Sequence, residues 1–526
     1  MAASSLAAPA ALGILFFYGL LNNAYVLGQF IQSDSLLPAQ LVWDLAHHSY
    51  AWRGFQFPRV LSLVPDLLFF AAIQLFGIGW RWGMALLATT ISILLAWAGS
   101  LVVASLTSVG RANAFVLCTL GVIVTFMPSI CAFHDPAVNP LPWMIPLLVI
   151  VPVSHGGAFV LSLFAASIAA KALRGSHAAF WSGVALSAIG TFSDLLFIGE
   201  LLLPLLFAAA AVWRIGAVSF RRAASVWAAC AIACGIGWGA QLPLFRQGLP
   251  PLGRHLLVYQ MKQWAGEWSQ LPWAIWSFLL FAIAILIALI RVCSVVRQSP
   301  VPATRFRETF YWSFGLSAAL TSVIPLTALY IMSNCYRYAM PLLWWPPILL
   351  LSLWPTRWVP NIHLLGLLGA PALILPFVLH QPKILHWTTA AASCIAGRAK
   401  PLGLDAGLAS YWNARTTAAS TDWQVQVDQI RSDGGIYIWG NDLASYLHAI
   451  NDPSRPPRYN FIIVDSELDP ANSKLDLVGS RLDPAALLAH YGPPNRVVDC
   501  EGAKLWVYSH SLHLIFPSSI YDRLLH

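Results

Sequence analysis

The sequence predicts an α-helical polytopic membrane protein with about eleven transmembrane helices, followed by a small C-terminal α+β domain. Three observations predict it. Of the 526 residues, 58% are hydrophobic and only 10% charged, with a mean hydropathy of +0.67, whereas soluble domains carry about 25% charged residues. Many windows run past about 18 apolar residues with few or no charges, the length a bilayer core demands. Fourteen of the 22 acids fall beyond residue 381, so composition changes where the apolar runs end. A soluble fold with one large core is excluded by the number of separate long apolar runs.

The elements follow in chain order. The N-terminal stretch "MAASSLAAPAALGILFFYGLLNNAYVLGQF" lacks a basic segment before its apolar run and reads as an uncleaved first helix. Candidate spans cover 6–28, 61–79, 84–108, 112–131, 143–170, 181–212, 223–245, 272–292, 311–332, 340–355 and 362–380. Two of these are too long for one straight crossing. They are interrupted by "PVSHGG" and "GTFSD", so each is a broken helix or two short ones, with irregular backbone that must line a cavity or be buried in protein. Arg81, Arg214, Arg221, Arg222, Arg291, Arg297, Arg305, Arg307 and Arg357 mark cytoplasmic ends. That orientation puts an outer loop at 29–60 and everything after 381 on the far side, while Lys171 and Arg174 run against it.

The membrane part is thus 1–380 and the hydrophilic domain 381–526. In the latter, "GGIYIWG", "YNFIIVDSELD" and "NRVVDCEGAKLWVYSH" read as short strands, and "DPAALLAHYGPP" as a helix with an Asp cap and a Gly-Pro stop. Cys394 and Cys500 both lie in this domain and can form one disulfide if it is exported, whereas the other six cysteines lie in or near apolar runs. The net charge of +8 comes from arginines spread over loop ends. No basic run with interleaved aromatics points to nucleic acid, and the charge instead suits contact with membrane lipids. No P-loop, GxSxG, HExxH or zinc spacing is present.

Eight acids remain in the membrane part, and ionisable groups at membrane depth are functional candidates by default. Asp34, just past the first helix, is either a general base or the cap of the segment after it. Asp44 lies in that helix-like, membrane-surface segment, where an exposed or salt-bridged face residue is the plainer reading. His47 is interfacial filler or a substrate hydrogen-bonder, and Arg59 is a candidate partner of Asp44. Asp66 follows Pro65 at a helix start, suiting the dipole or pointing into a cavity. His134 and Asp135 sit in a turn-rich loop, as an acid-base pair or an Asp-Pro turn. Asp194 is the most deeply placed acid and needs a partner or a hydrated hollow, which Glu200 shares. "SNCYRYAMP" sets Arg337 between Tyr336 and Tyr338, as a phosphate clamp or a snorkelling anchor. Arg254 and Lys262 belong to an amphipathic loop that either lids a site or rests on headgroups.

This layout resembles the GT-C superfamily of membrane glycosyltransferases. The likeness lies in a first helix, an outer loop with an acid near the membrane, many spans and a terminal α+β domain, and it covers most of the chain. The resemblance implies sugar transfer from a polyprenyl-phosphate donor to a glycan or lipid acceptor at the outer face of a bacterial inner membrane. It carries the base or acceptor-binding role onto Asp34, with Asp44 second, and the lipid-phosphate role onto Arg337 through "YRYAMP". The paired acids usual in that first loop are absent here, so neither a metal nor another cofactor is expected. The segments "GLASYWNARTTAAS" and "HYGPPNRVVDCEGAKLWVY" resemble those of bacterial membrane proteins. Two other classes stay open: a transporter or lipid- and glycan-handling protein using Asp194 and Glu200, and a non-catalytic envelope assembly scaffold.

Overall fold

The two predicted interruptions fall where the helices break in the structure, a computed structural model. It describes residues 27–48, 55–132, 145–244, 302–322, 338–353, 388–437, 440–466, 482–500 and 503–514, save a few single positions, with isolated residues between 282 and 294. "PVSHGG" ends a 3-10 turn at Ile145–Ile150 and opens the helix at Gly156. "GTFSD" separates a helix ending at Ser193 from one beginning at Leu196, with Asp194 between them.

The helices are α1 (Ser33–His47), α2 (Leu68–Leu75), α3 (Trp80–Leu106), α4 (Arg111–Ala132), α5 (Gly156–Leu173), α6 (His177–Ser193), α7 (Leu196–Arg214), α8 (Phe220–Gln241), α9 (Pro302–Thr321) and α10 (Met340–Leu351). Beyond residue 388 come α11 (Ala390–Leu402), α12 (Tyr411–Ser420) and α13 (Pro484–Tyr491). Among the described residues, four helices are long and apolar enough to cross a membrane: Trp80–Leu106, Gly156–Leu173, Leu196–Arg214 and Phe220–Leu244. Shorter apolar helices lie at Leu63–Leu75, Arg111–Ile123 and Met340–Leu351. The candidate span 362–380, and nearly all of 272–292 and 6–28, lie outside the described residues.

Small residues let these helices approach closely. A Cβ on Gly237 of α8 would stand 2.3 Å from the Ala188 carbonyl of α6, so those two backbones pack directly. The α9 helix starts at Pro302, well before the expected 311, and packs along α7 and α10. Its first turns carry Arg305, Arg307 and Glu308, which no hydropathy window admits. The "VPD" segment at 64–66 is wound as a short π-turn (Leu63–Leu67) leading into α2.

The C-terminal strands are β2 (Ala406–Ala409), β3 (Gln426–Gln429), β5 (Tyr459–Ser466), β6 (Arg496–Asp499) and β7 (Ala503–Val507), in the order β3-β2-β5-β7-β6. β2 is parallel to β3 and β5, and β7 is antiparallel to β5 and β6. A parallel pair needs a crossover, and α12 supplies it between β2 and β3. Asp483 caps α13 by accepting from the Ala485 N–H at 2.9 Å, as expected. "GGIYIWG" departs from its expected strand: among its described residues it contributes an isolated bridge, Ile436 to Ile430. A disulfide joins Cys394 of α11 to Cys500, which follows β6.

The sheet domain is fastened to the first loop. β1 (Phe55–Gln56) pairs antiparallel with β4 (Asn441–Asp442), and α12 packs on α1. Trp423, Ala418 and Ala419 join the same apolar core as the membrane helices.

Candidate functional site

Polar side chains gather at two places, one along the seam between α1 and the sheet domain and one among the helix breaks.

At the seam, α12 presents Arg415, only 1% exposed. Its guanidinium donates to the Gln40 amide oxygen, the Ser33 carbonyl and the Gly440 carbonyl. Gly440 takes φ +53°, which turns its carbonyl without a side-chain penalty. One planar cation thereby closes α1, α12 and the Gly440 turn onto each other. Beside it the Tyr411 hydroxyl donates to the Asp34 carboxylate. Burial, then the nearby Asp34 charge, raise the Tyr411 pKa far above the ordinary phenol value, so the proton stays on the phenol. Asp34 does not take the cap position, one of its two readings from the sequence. Gln32 holds that position without a side-chain capping bond, and Asp34 lies in the first turn.

Asp44 corrects the other reading of α1. It is buried at 8% exposure rather than lying on a solvated face, because the sheet domain covers that side. It lines a narrow cleft together with Asp428 and Asp442. Burial, then the Asp442 and Asp428 charges, push the Asp44 carboxyl well up, against the pull of Arg415. Burial pushes Asp442 up to about 7, opposed by the Ala444 N–H and assisted by Asp428. Asp428 is raised by burial too, although it accepts from Gln426 at 2.8 Å, Tyr459 at 2.7 Å and Ser445 at 2.5 Å. His48, also lining the cleft, is lowered by burial, then by His47 and His448. His47 itself stacks on Trp43 at 4.4 Å and is exposed.

The raised carboxyls set a sign. Asp44 and Asp442 hold protons more tightly folded than unfolded, so their contribution to the seam is full below the unfolded value near 4. For Asp442 it is lost as pH rises through about 7. Facing them are Asp428, Arg415, His48 and His448. The thermal midpoint should fall by several degrees between pH 6 and pH 8, and Asp442→Asn should flatten the slope. An unchanged slope in that variant would show that the carboxyls do not link folding to protonation.

The second gathering lies where Leu63–Leu67, α5 and α6 meet. The His155 Nδ1 stands 2.6 Å from the Asp194 Oδ2, both side chains buried. The Asp66 Oδ2 accepts from the Val153 N–H at 2.8 Å. Ser193 bonds the Val64 backbone on both sides, N–H to Oγ at 2.9 Å and Oγ to carbonyl at 3.1 Å. The Tyr338 ring lies 5.0 Å from the His155 ring. Asp194 acts electrostatically on both Asp66 and Glu200.

The backbone here is strained, with Val153 at φ 60° and His155 at φ 66°. Gly156 follows because a Cβ there would stand 1.8 Å from the Val149 carbonyl. An Asp on one imidazole nitrogen fixes the tautomer, leaving Nε2 to accept or relay a proton. The His155 Nε2 and the Glu200 Oε2 are buried without a hydrogen-bond partner.

The structure thus gathers Asp66, Asp194 and Tyr338 around His155, and Asp34 and Asp44 along the seam. Arg337, Tyr336, Arg59, Arg254, Lys262, His134 and Asp135 lie outside the described residues. Sequence reading missed His155 as a partner, although "HGG" and the break before it marked the place. It also missed Arg415, Asp428 and Asp442. Among the described residues no group of three or more His, Cys, Asp or Glu side chains is placed to hold a metal ion. In comparisons with known proteins, no family model, curated protein or solved structure matches this chain.

Proposed function

We propose that the chain is a multi-pass inner-membrane glycosyltransferase that moves a sugar from a polyprenyl-phosphate donor to a glycan or lipid acceptor at the outer face. The carrying observation is Asp34, fixed by Tyr411 where the first loop meets the sheet domain. In this reading the Asp34 carboxylate takes the proton of the acceptor hydroxyl. The acceptor oxygen then bonds to the sugar's anomeric carbon as the carbon–oxygen bond to the lipid phosphate breaks. Arg337 neutralises the departing phosphate. Tyr338, its neighbour in sequence, lies against His155 in the second gathering. The Cys394–Cys500 disulfide favours an oxidising, extracytoplasmic side for the sheet domain.

The test is lipid-linked sugar analysis in cells lacking the gene, complemented by wild type or Asp34→Asn. Expected are a donor that accumulates and a glycan that disappears, both restored by wild type. Loss of a catalytic base typically costs about 10²–10⁴ in rate, so Asp34→Asn should restore neither. Unchanged glycans in the deletion strain, with candidate donors present, would sink the transferase reading.

A second reading rests on a different observation, the buried His155–Asp194 pair with Asp66 and Glu200 nearby. Such groups among apolar helices suit a proton-coupled transporter. Substrate-driven proton flux in proteoliposomes, abolished by Asp194→Asn while the glycans stay normal, would favour it.

A further inference from the structure

The seam holds three carboxyl groups, Asp44, Asp428 and Asp442, around one cleft. None of them receives a described hydrogen bond from the nearest guanidinium. Arg415 gives its described hydrogen bonds to Gln40, Ser33 and Gly440, none of them a carboxylate. Asp428 is satisfied by three donors. Asp44 is not: its Oδ2 is buried with no hydrogen-bond partner, on a side chain more than nine-tenths buried that lines the cleft. A buried carboxylate oxygen without a donor is costly, and a ligand that donates there recovers the loss.

The shape narrows the ligand. The interior holds about 40 Å³ of free space, enough for a water-sized headgroup rather than a whole sugar ring. Trp43 and Trp423, stacked at 5.8 Å, line the same cleft. Aromatic faces attract a cation, and carboxylates take its N–H donors. We infer that this cleft binds a primary ammonium group, carried by an amino sugar or by an aminated lipid headgroup. The ammonium donates to the Asp44 Oδ2 and shares the charge of Asp442 and Asp428, while the rest of the molecule projects past the tryptophans. The inference does not depend on the transferase reading, since a transporter or scaffold with this cleft binds the same group.

The experiment uses the full chain at pH 7, in detergent with glucosamine or N-acetylglucosamine, and in nanodiscs of phosphatidylethanolamine or phosphatidylcholine. Thermal stabilisation and a dissociation constant are read for each. A soluble source predicts that glucosamine stabilises the protein and its acetylated counterpart does not. A lipid source predicts that the phosphatidylethanolamine discs stabilise it relative to phosphatidylcholine. Either effect should weaken about tenfold or more in Asp44→Asn, with Asp442→Asn as a second variant should the first fail to fold. The inference is overturned if neither amine outperforms its blocked counterpart, or if the advantage persists undiminished in the folded variants. The wild-type comparison needs no variant.

Discussion

Replacing Arg415 with methionine should cost about 3 kcal/mol or more and loosen α1 from the sheet domain. The methionine keeps much of the stem's volume, so the loss is polar. It strands the Ser33 and Gly440 carbonyls and the Gln40 amide oxygen at once, in a place where Arg415 is 1% exposed. Each stranded buried acceptor carries its own desolvation cost of about 1–3 kcal/mol. Arg415→Lys should fall between, because an ammonium cannot span three acceptors as a planar fork does. Hydrogen exchange along α1 and the thermal midpoint check this. A methionine variant with wild-type exchange in Ser33–His47 would mean that other contacts hold the seam.

The second large effect concerns the disulfide. Cys394 and Cys500 are 106 positions apart, with Cα atoms 5.6 Å from each other. Closing a loop of that size removes much of the unfolded chain's freedom, and losing such a bridge typically costs about 2–5 kcal/mol. Cys394→Ser should therefore lower the unfolding temperature of the sheet domain most, and reductant should do the same to wild type. Ile395, Ala503 and Leu505 share the apolar cluster around Cys500, so packing survives while the restraint is lost. Peptide mapping after maleimide treatment reads the pair directly. Labelling of both cysteines in native protein without reductant would remove the disulfide, and with it the support it gives to an extracytoplasmic domain.

The parts of this fold that could be read from sequence are those set by local chemistry. "PVSHGG" and "GTFSD" carry breakers inside apolar runs, and the helices stop there. Asp483 caps a helix, and within "NRVVDCEGAKLWVYSH" two β-rich runs pair antiparallel as β6 and β7. The misreadings have a common physical source. Asp44 looked solvated because its own helix gives no sign of the domain that covers it. Arg415 sits in "YWNARTTAAS", a segment with no apolar rhythm, and its acceptors include Ser33, 382 positions away. His155 gains meaning only from Asp194, 39 positions on. Strand β1 is two residues long and exists only through its partner β4. Long-range partners leave no periodicity behind.

That same distance governs how the molecule is made. Ser33 leaves the ribosome 382 residues ahead of the arginine that will hold it, roughly 20–75 s at ordinary elongation rates of about 5–20 residues per second. Throughout that interval the first loop waits with no mate for β1 and no cover for the Asp44 face of α1. The seam therefore closes only once the sheet domain has emerged and folded back on residues 33–56. A chain interrupted before residue 406 carries a loop whose closing partner never arrives, which makes it a ready substrate for membrane quality-control proteases.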